Sequence, residues 1–131
     1  MKGEKNYNIK VYNILRQIGL CPKLKGTKIL LSAILVALNY NDDFIVVSDI
    51  YKQLSIQYKI STKTIENSIA YSLKHLINNN FEENFEKVLG VEFCEDYYSN
   101  KTIIEEVTRI IKMEIDNYST IWYYYTIKRR L

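Results

Sequence analysis

The chain reads DIYKQLSIQYKISTKTIENSIAYSLKHLI from Asp49 to Ile77, and the pattern divides into two short helices about a tight polar turn. Ser48-Asp49 can open the first helix, whose apolar positions Ile50, Leu54 and Tyr58 recur at every fourth residue. Lys59-Ile60-Ser61-Thr62 forms the turn. In the second helix Ile65, Ile69, Leu73, Leu76 and Ile77 make one apolar stripe, the spacing of a side that faces a core. At about 100° per residue, Lys63, Asn67, Ala70, Tyr71 and Lys74 fall on the opposite side. That side offers hydrogen-bonding groups and positive charge with no acidic residue. A short helix, a polar turn and an exposed basic-polar helix are the parts of a helix-turn-helix, whose second helix enters the major groove of DNA. A helical hairpin with no nucleic-acid partner has the same pattern, so both readings stand at this point.

Outward from this segment the pattern stays helical. Towards the N-terminus, a helix is predicted from about Tyr7 to Ile18, with Ile9, Tyr12, Ile14, Leu15 and Ile18 available for burial. Gly19 supplies its stop and Pro22 prevents continuation. A second helix is expected from about Gly26 to Asn39. Its Leu30, Leu31, Ile34, Leu35 and Leu38 are apolar on more than one face, which predicts the central and most buried helix. Residues 39–43 read as a loop, and Phe44-Ile45-Val46-Val47 is either a short strand or the apolar entry to the next helix. Asn78-Asn79-Asn80 is expected to end the second helix of the pair. A short helix at Phe81–Leu89 and a turn at Gly90 follow. Thr102 and Glu105 have the spacing of a capping box, opening a helix that turns Ile103, Val107, Ile110, Ile111 and Ile115 inward. No repeat or linker divides the chain. The expected fold is a single all-α domain over residues 1–131, a bundle of about five to seven helices.

Bulk properties narrow the function. The 131 residues contain one Pro and four Gly, enough chain for one core with few helix breakers. A net charge of +3 is too small to argue for a polyanion, but its distribution is uneven. Residues 1–80 hold eleven Lys/Arg against five Asp/Glu, and residues 81–131 hold seven against ten. The positive half contains the helix pair, which hints at a polyanion partner; a solvated charge pattern accounts for it as well. Cys21 and Cys94 form no metal-ligand spacing and His75 is the only histidine, so neither a metal nor a cofactor is expected. His75 has no nucleophile and carboxylate placed to work with it, and Glu82-Glu83 and Glu105-Glu106 read as solvated helix faces. No catalytic residues are assigned. The apolar run Ile29–Leu38 falls short of the ~20 residues that span a bilayer, and no signal peptide is recognisable. A cytoplasmic protein with reduced thiols and no membrane partner is expected.

With the helices laid out, the chain resembles the C-terminal DNA-binding domain of the stage-zero sporulation response regulator of endospore-forming bacteria. Ile18-Gly19-Leu20-Cys21-Pro22-Lys23-Leu24-Lys25-Gly26 is similar to that family's signature between its first two helices, with the Pro displaced by one. Ile50 to Tyr58 resembles the first helix of its helix-turn-helix, and Lys63 to Leu73 its recognition helix. Ser99 to Met113 resembles a later helix. The likeness spans about residues 10–115, in order and spacing, leaving residues 116–131 as an aromatic and basic extension. It implies a helical domain that binds double-stranded DNA as a transcription regulator, often as two copies on adjacent sites. Family recognition helices contact bases through a Glu-Arg pair assisted by a second Arg one turn later. Here Glu66 is kept, while Asn67 and Ala70 stand at the Arg positions. Bidentate Arg reads guanine and Asn pairs best with adenine, so the family's usual sequence is not the expected target. The family's receiver domain is not expected either, so control by its phosphorylation is not anticipated.

The expected base or near-base contacts are therefore Lys63, Glu66, Asn67 and Tyr71, the last replacing a family His, with Ala70 beside them. Lys59, Ser61, Thr62, Thr64 and Lys74, together with Lys63, suit phosphates, since hydroxyls and helix N-termini commonly contact them. Ser61 or Thr62 acting only as an N-cap, and the lysines only as a solvated face, is the plainer account. Beyond Met113, the residues Tyr118, Ile121, Trp122 and Tyr125 make an aromatic stripe with three readings: packing on the domain, a homodimer surface, or an aromatic-basic nucleic-acid contact. The leading expectation is a sequence-specific DNA-binding regulator that makes no chemical change. The alternatives are a module that pairs with a full-length regulator and antagonises it, or a plasmid or phage accessory protein that marks a DNA site.

Overall fold

The computed structural model describes residues 2–40, 45–77 and 80–114, and all regular structure among them is helical. Helix α1 spans Lys2–Ile18, α2 Lys25–Leu38, α3 Val47–Tyr58, α4 Thr62–Lys74 and α5 Phe81–Leu89. A 3-10 turn at Glu95–Tyr97 precedes α6, which runs over residues 100–114 to the end of the described chain.

Helix α2 is the hub, touching α1, α3 and α4. Ile29, Leu30, Ala33, Ile34 and Ala37 are fully enclosed, and Leu31, Leu35 and Leu38 are packed at the margin of the core. Each enclosed Leu or Ile contributes roughly 1.5–3 kcal/mol relative to exposure, so this helix organises the rest. Its small residues matter as much. Gly26 lies so close to the backbone of α4 that a β-carbon there would sit 1.8 Å from the Ser68 carbonyl oxygen.

Helix α1 begins earlier than the sequence predicts, and its inward stripe is Val11, Leu15 and Ile18. The expected burial of Ile9 and Tyr12 is corrected: both face outward, Tyr12 lying beneath the Arg16 guanidinium at 5.7 Å. Gly19 ends the helix as expected, at φ 118°. Its N–H and that of Leu20 close back on Leu15 and Arg16 carbonyls at 3.0–3.2 Å, the hydrogen-bond pattern of a left-handed cap that glycine adopts without steric cost.

Ile45 and Val46 are non-helical and Val47 opens α3, so the apolar segment is the entry to a helix; Phe44 lies outside the described residues. Helix α4 ends at Lys74, earlier than the asparagine run suggested. Ile77 leaves the stripe and is exposed, because the chain turns there and its N–H donates to the Gly19 carbonyl at 2.9 Å. Helix α5 has the expected bounds, and Gly90 caps it at φ 69°. The cap of α6 is corrected too. Ser99, three residues ahead of Thr102, accepts the Thr102 N–H at 3.3 Å. Thr102 is already helical, and Glu105 faces Lys101 at 3.8 Å. Ile103, Ile104, Val107 and Ile111 are buried, Ile110 is half-buried, and Ile115 lies outside the described residues.

Candidate nucleic-acid interface

The turn between α3 and α4 is made by the residues the sequence marks for it. Lys59 takes a left-handed conformation, φ 57° and ψ 42°, and its N–H donates to the Ser55 carbonyl. Ser55 Oγ donates to the Ile60 carbonyl, holding the turn from inside. Ser61 is the N-cap of α4: its Oγ accepts the Thr64 N–H at 3.1 Å and lies 2.8 Å from Thr64 Oγ1. Thr62 is the first helical residue. Lys59, Ser61, Thr62, Lys63 and Thr64 are all exposed, so the capping role of Ser61 leaves the turn open to solvent.

Helix α4 divides cleanly. Ile65, Ile69 and Leu73 are buried, while Lys63, Glu66, Asn67, Tyr71 and Lys74 are exposed and Ala70 is half-buried. Glu66 therefore belongs to the open surface, its only acidic member. A depression of about 450 Å³ lies between this surface and the start of α2, with Leu24, Lys25, Thr64, Asn67, Ser68 and Tyr71 on its walls. Tyr71 is exposed and not buried against a neighbouring helix. Its ring stacks on that of His75, centroids 3.8 Å apart and planes 19° from parallel, while His75 Nδ1 lies 2.9 Å from the Tyr71 carbonyl.

The buried side of α4 is held at several points. Ser72 is enclosed and donates to the Ile69 carbonyl at 2.7 Å, in the zone where Gly26 approaches. Asn100, at the start of α6, donates from Nδ2 to the Glu66 carbonyl at 2.9 Å and to Tyr51 Oη at 3.2 Å. One amide thus joins α6 to both helices of the pair. Tyr98 Oη donates to the Leu73 carbonyl at 2.9 Å, and the Tyr98 ring belongs to an aromatic cluster with Phe81, Phe85 and Phe93. Ser32 Oγ and Tyr58 Oη, 2.6 Å apart, tie α2 to the end of α3. Burial raises the Tyr51 phenol above its ordinary value; the Asn100 hydrogen bond opposes that rise, and the Glu66 carboxylate adds to it. Burial alone holds the Tyr98 phenol far above the ordinary range.

Two helices joined by a tight turn, the second exposing a basic-polar surface and braced from behind, have the geometry of a helix-turn-helix. A family model described as "Sporulation initiation factor Spo0A C terminal" matches residues 11–115. The chain belongs to this family. The Spo0A C-terminal domain is the DNA-binding effector domain of a sporulation response regulator, not a catalytic family. No curated protein and no solved structure matches the chain.

In this Spo0A-type domain, the sequence-predicted residues from Lys59 to Lys74 share one connected element. The tail residues Tyr118, Ile121, Trp122 and Tyr125 lie outside the described residues. Sequence reasoning missed Asn100 and Tyr98, whose partners are 34 and 25 residues away along the chain; no local pattern signals such a contact. It also gave His75 no defined partner, although an aromatic residue four positions earlier was a usable sign. No described helix is long and apolar enough to cross a membrane.

Proposed function

We propose that this domain binds specific sites on double-stranded DNA as a transcription regulator, with α4 lying in the major groove. The division of α4 carries the reading. Its apolar stripe is fully used by the core, yet a contiguous exposed surface of Lys63, Glu66, Asn67, Tyr71 and Lys74 is kept in a fixed place by Gly26, Asn100 and Tyr98. Among the described residues neither Lys63 nor Lys74 is in an ion pair. Each remains available to a phosphate, and each phosphate neutralised contributes about 0.9 to the log–log salt slope. Lys59, Ser61, Thr62 and Thr64 supply further donors near the helix N-terminus, where the backbone N–H groups favour an anion.

Selection of bound sites from a random duplex pool, with a salt titration on the winner, tests the proposal. The expected result is an enriched motif bound at least about 10³-fold more tightly than random duplex. Uniform, weak and steeply salt-dependent binding with no enrichment overturns it.

A further inference from the structure

The middle of the open surface of α4 carries no arginine or lysine, the side chains that pair with guanine. Between Lys63 near its start and Lys74 at its end, the exposed residues are Thr64, Glu66, Asn67 and Tyr71, and no arginine stands among them. Asn67 and Tyr71 are one helical turn apart and border the same depression. Asparagine matches adenine through paired contacts to N6 and N7, whereas the C5 methyl of thymine is recognised by apolar contact. Tyr71 is 54% exposed, and its stack on His75 holds one face of the ring. The His75 Nδ1 contact to the Tyr71 carbonyl fixes the stacking partner in turn. A ring stacked on one face has less rotamer freedom to lose on binding, which suits a shape contact to a single methyl group.

We propose that Asn67 and Tyr71 together read A·T base pairs in the major groove, Asn67 on an adenine edge and the Tyr71 ring on a thymine C5 methyl. The proposal rests on the reading of α4 as the major-groove helix and names the bases it selects. The hydroxyl of Tyr71 is not needed for this contact, so phenylalanine should replace it. His75 acts as a positioning residue through the ring it stacks on.

The test uses the duplex enriched from a random pool, altered one base at a time. Deoxyuridine in place of thymine removes only the methyl, and 7-deazaadenine removes only the N7 acceptor. For the unaltered protein, one deoxyuridine position is expected to weaken binding about three- to four-fold. Tyr71→Phe should keep that sensitivity and Tyr71→Ala should lose it. One 7-deazaadenine position should weaken the unaltered protein and leave Asn67→Ala unaffected. Asn67→Ala itself should lose roughly 5- to 150-fold on the enriched duplex. Three results overturn the proposal while leaving specific binding intact: G·C pairs at the sensitive positions, deoxyuridine sensitivity that persists in Tyr71→Ala, or a Tyr71→Phe loss that is equal on all duplexes, the mark of a phosphate contact through the hydroxyl. Failure to enrich any motif overturns the major-groove reading beneath it.

Discussion

Gly26 of α2 meets the Ser68 carbonyl of α4 at a distance that admits no side chain, since a β-carbon would lie 1.8 Å from that oxygen. Alanine is normally preferred to glycine inside a helix by about 1 kcal/mol, so the sign of the effect is diagnostic. Gly26→Ala is expected to destabilise the domain by about 1–3 kcal/mol or more, because relief requires moving backbone. Thermal unfolding should register this as a lower Tm, and DNA affinity should fall as α4 is displaced. A rise in Tm would mean that the two helices are not closely apposed.

Asn100→Ala removes the amide that serves both the Glu66 carbonyl and Tyr51 Oη. With a typical contribution of about 1 kcal/mol per hydrogen bond, a loss of roughly 1–3 kcal/mol in denaturant unfolding is expected. Binding to the selected site should fall more than binding to random duplex, since phosphate contacts tolerate a small shift of α4 better than base contacts do. Asn100→Asp should not restore it, because a carboxylate cannot donate to a carbonyl.

Much of this was legible in the sequence. The two-helix unit followed from the four-residue recurrence of Ile50, Leu54 and Tyr58 and of Ile65, Ile69 and Leu73, because one buried face leaves that trace. Stop signals at Gly19 and Gly90 were equally direct. The bracing of α4 was not legible: Asn100 and Tyr98 act across long sequence separations, and a short polar side chain says nothing about which distant carbonyl it will meet. Ile9 and Tyr12 misled because Val11 offers a competing stripe, and the choice between them is set by packing against neighbouring helices. At α6 the Thr102–Glu105 spacing drew attention from Ser99, an equally good cap one turn earlier.

Alkaline pH should expose the buried phenols. Tyr98 and Tyr51 both have folded-state pKa values above the ordinary 10.0. The folded state therefore holds protons that the unfolded state releases, and stability falls as pH rises above about 10. Below that pH their contribution is fully present. Tyr98→Phe removes the larger share of this slope, at a neutral-pH cost of about 0.5–1.5 kcal/mol for the lost bond to the Leu73 carbonyl. Urea midpoints at neutral and strongly alkaline pH, for both proteins, provide the check.

Lys63→Ala should weaken binding on selected and random duplexes by a similar factor. It should also reduce the magnitude of the log–log salt slope by about 0.9, the value of one phosphate contact. Anisotropy titrations across a salt series measure both. An unchanged slope would show that Lys63 is a solvated residue with no phosphate partner.

Amide chemical-shift mapping on the 15N-labelled chain, titrated with the enriched duplex, tests most directly whether α4 is the reading element. The largest perturbations are expected at Lys59, Lys63, Asn67, Tyr71 and Lys74, with side-chain amide shifts at Asn67 that vanish with scrambled duplex. Perturbations centred on α5 or on the chain beyond residue 114, with the exposed surface of α4 unmoved, would contradict it.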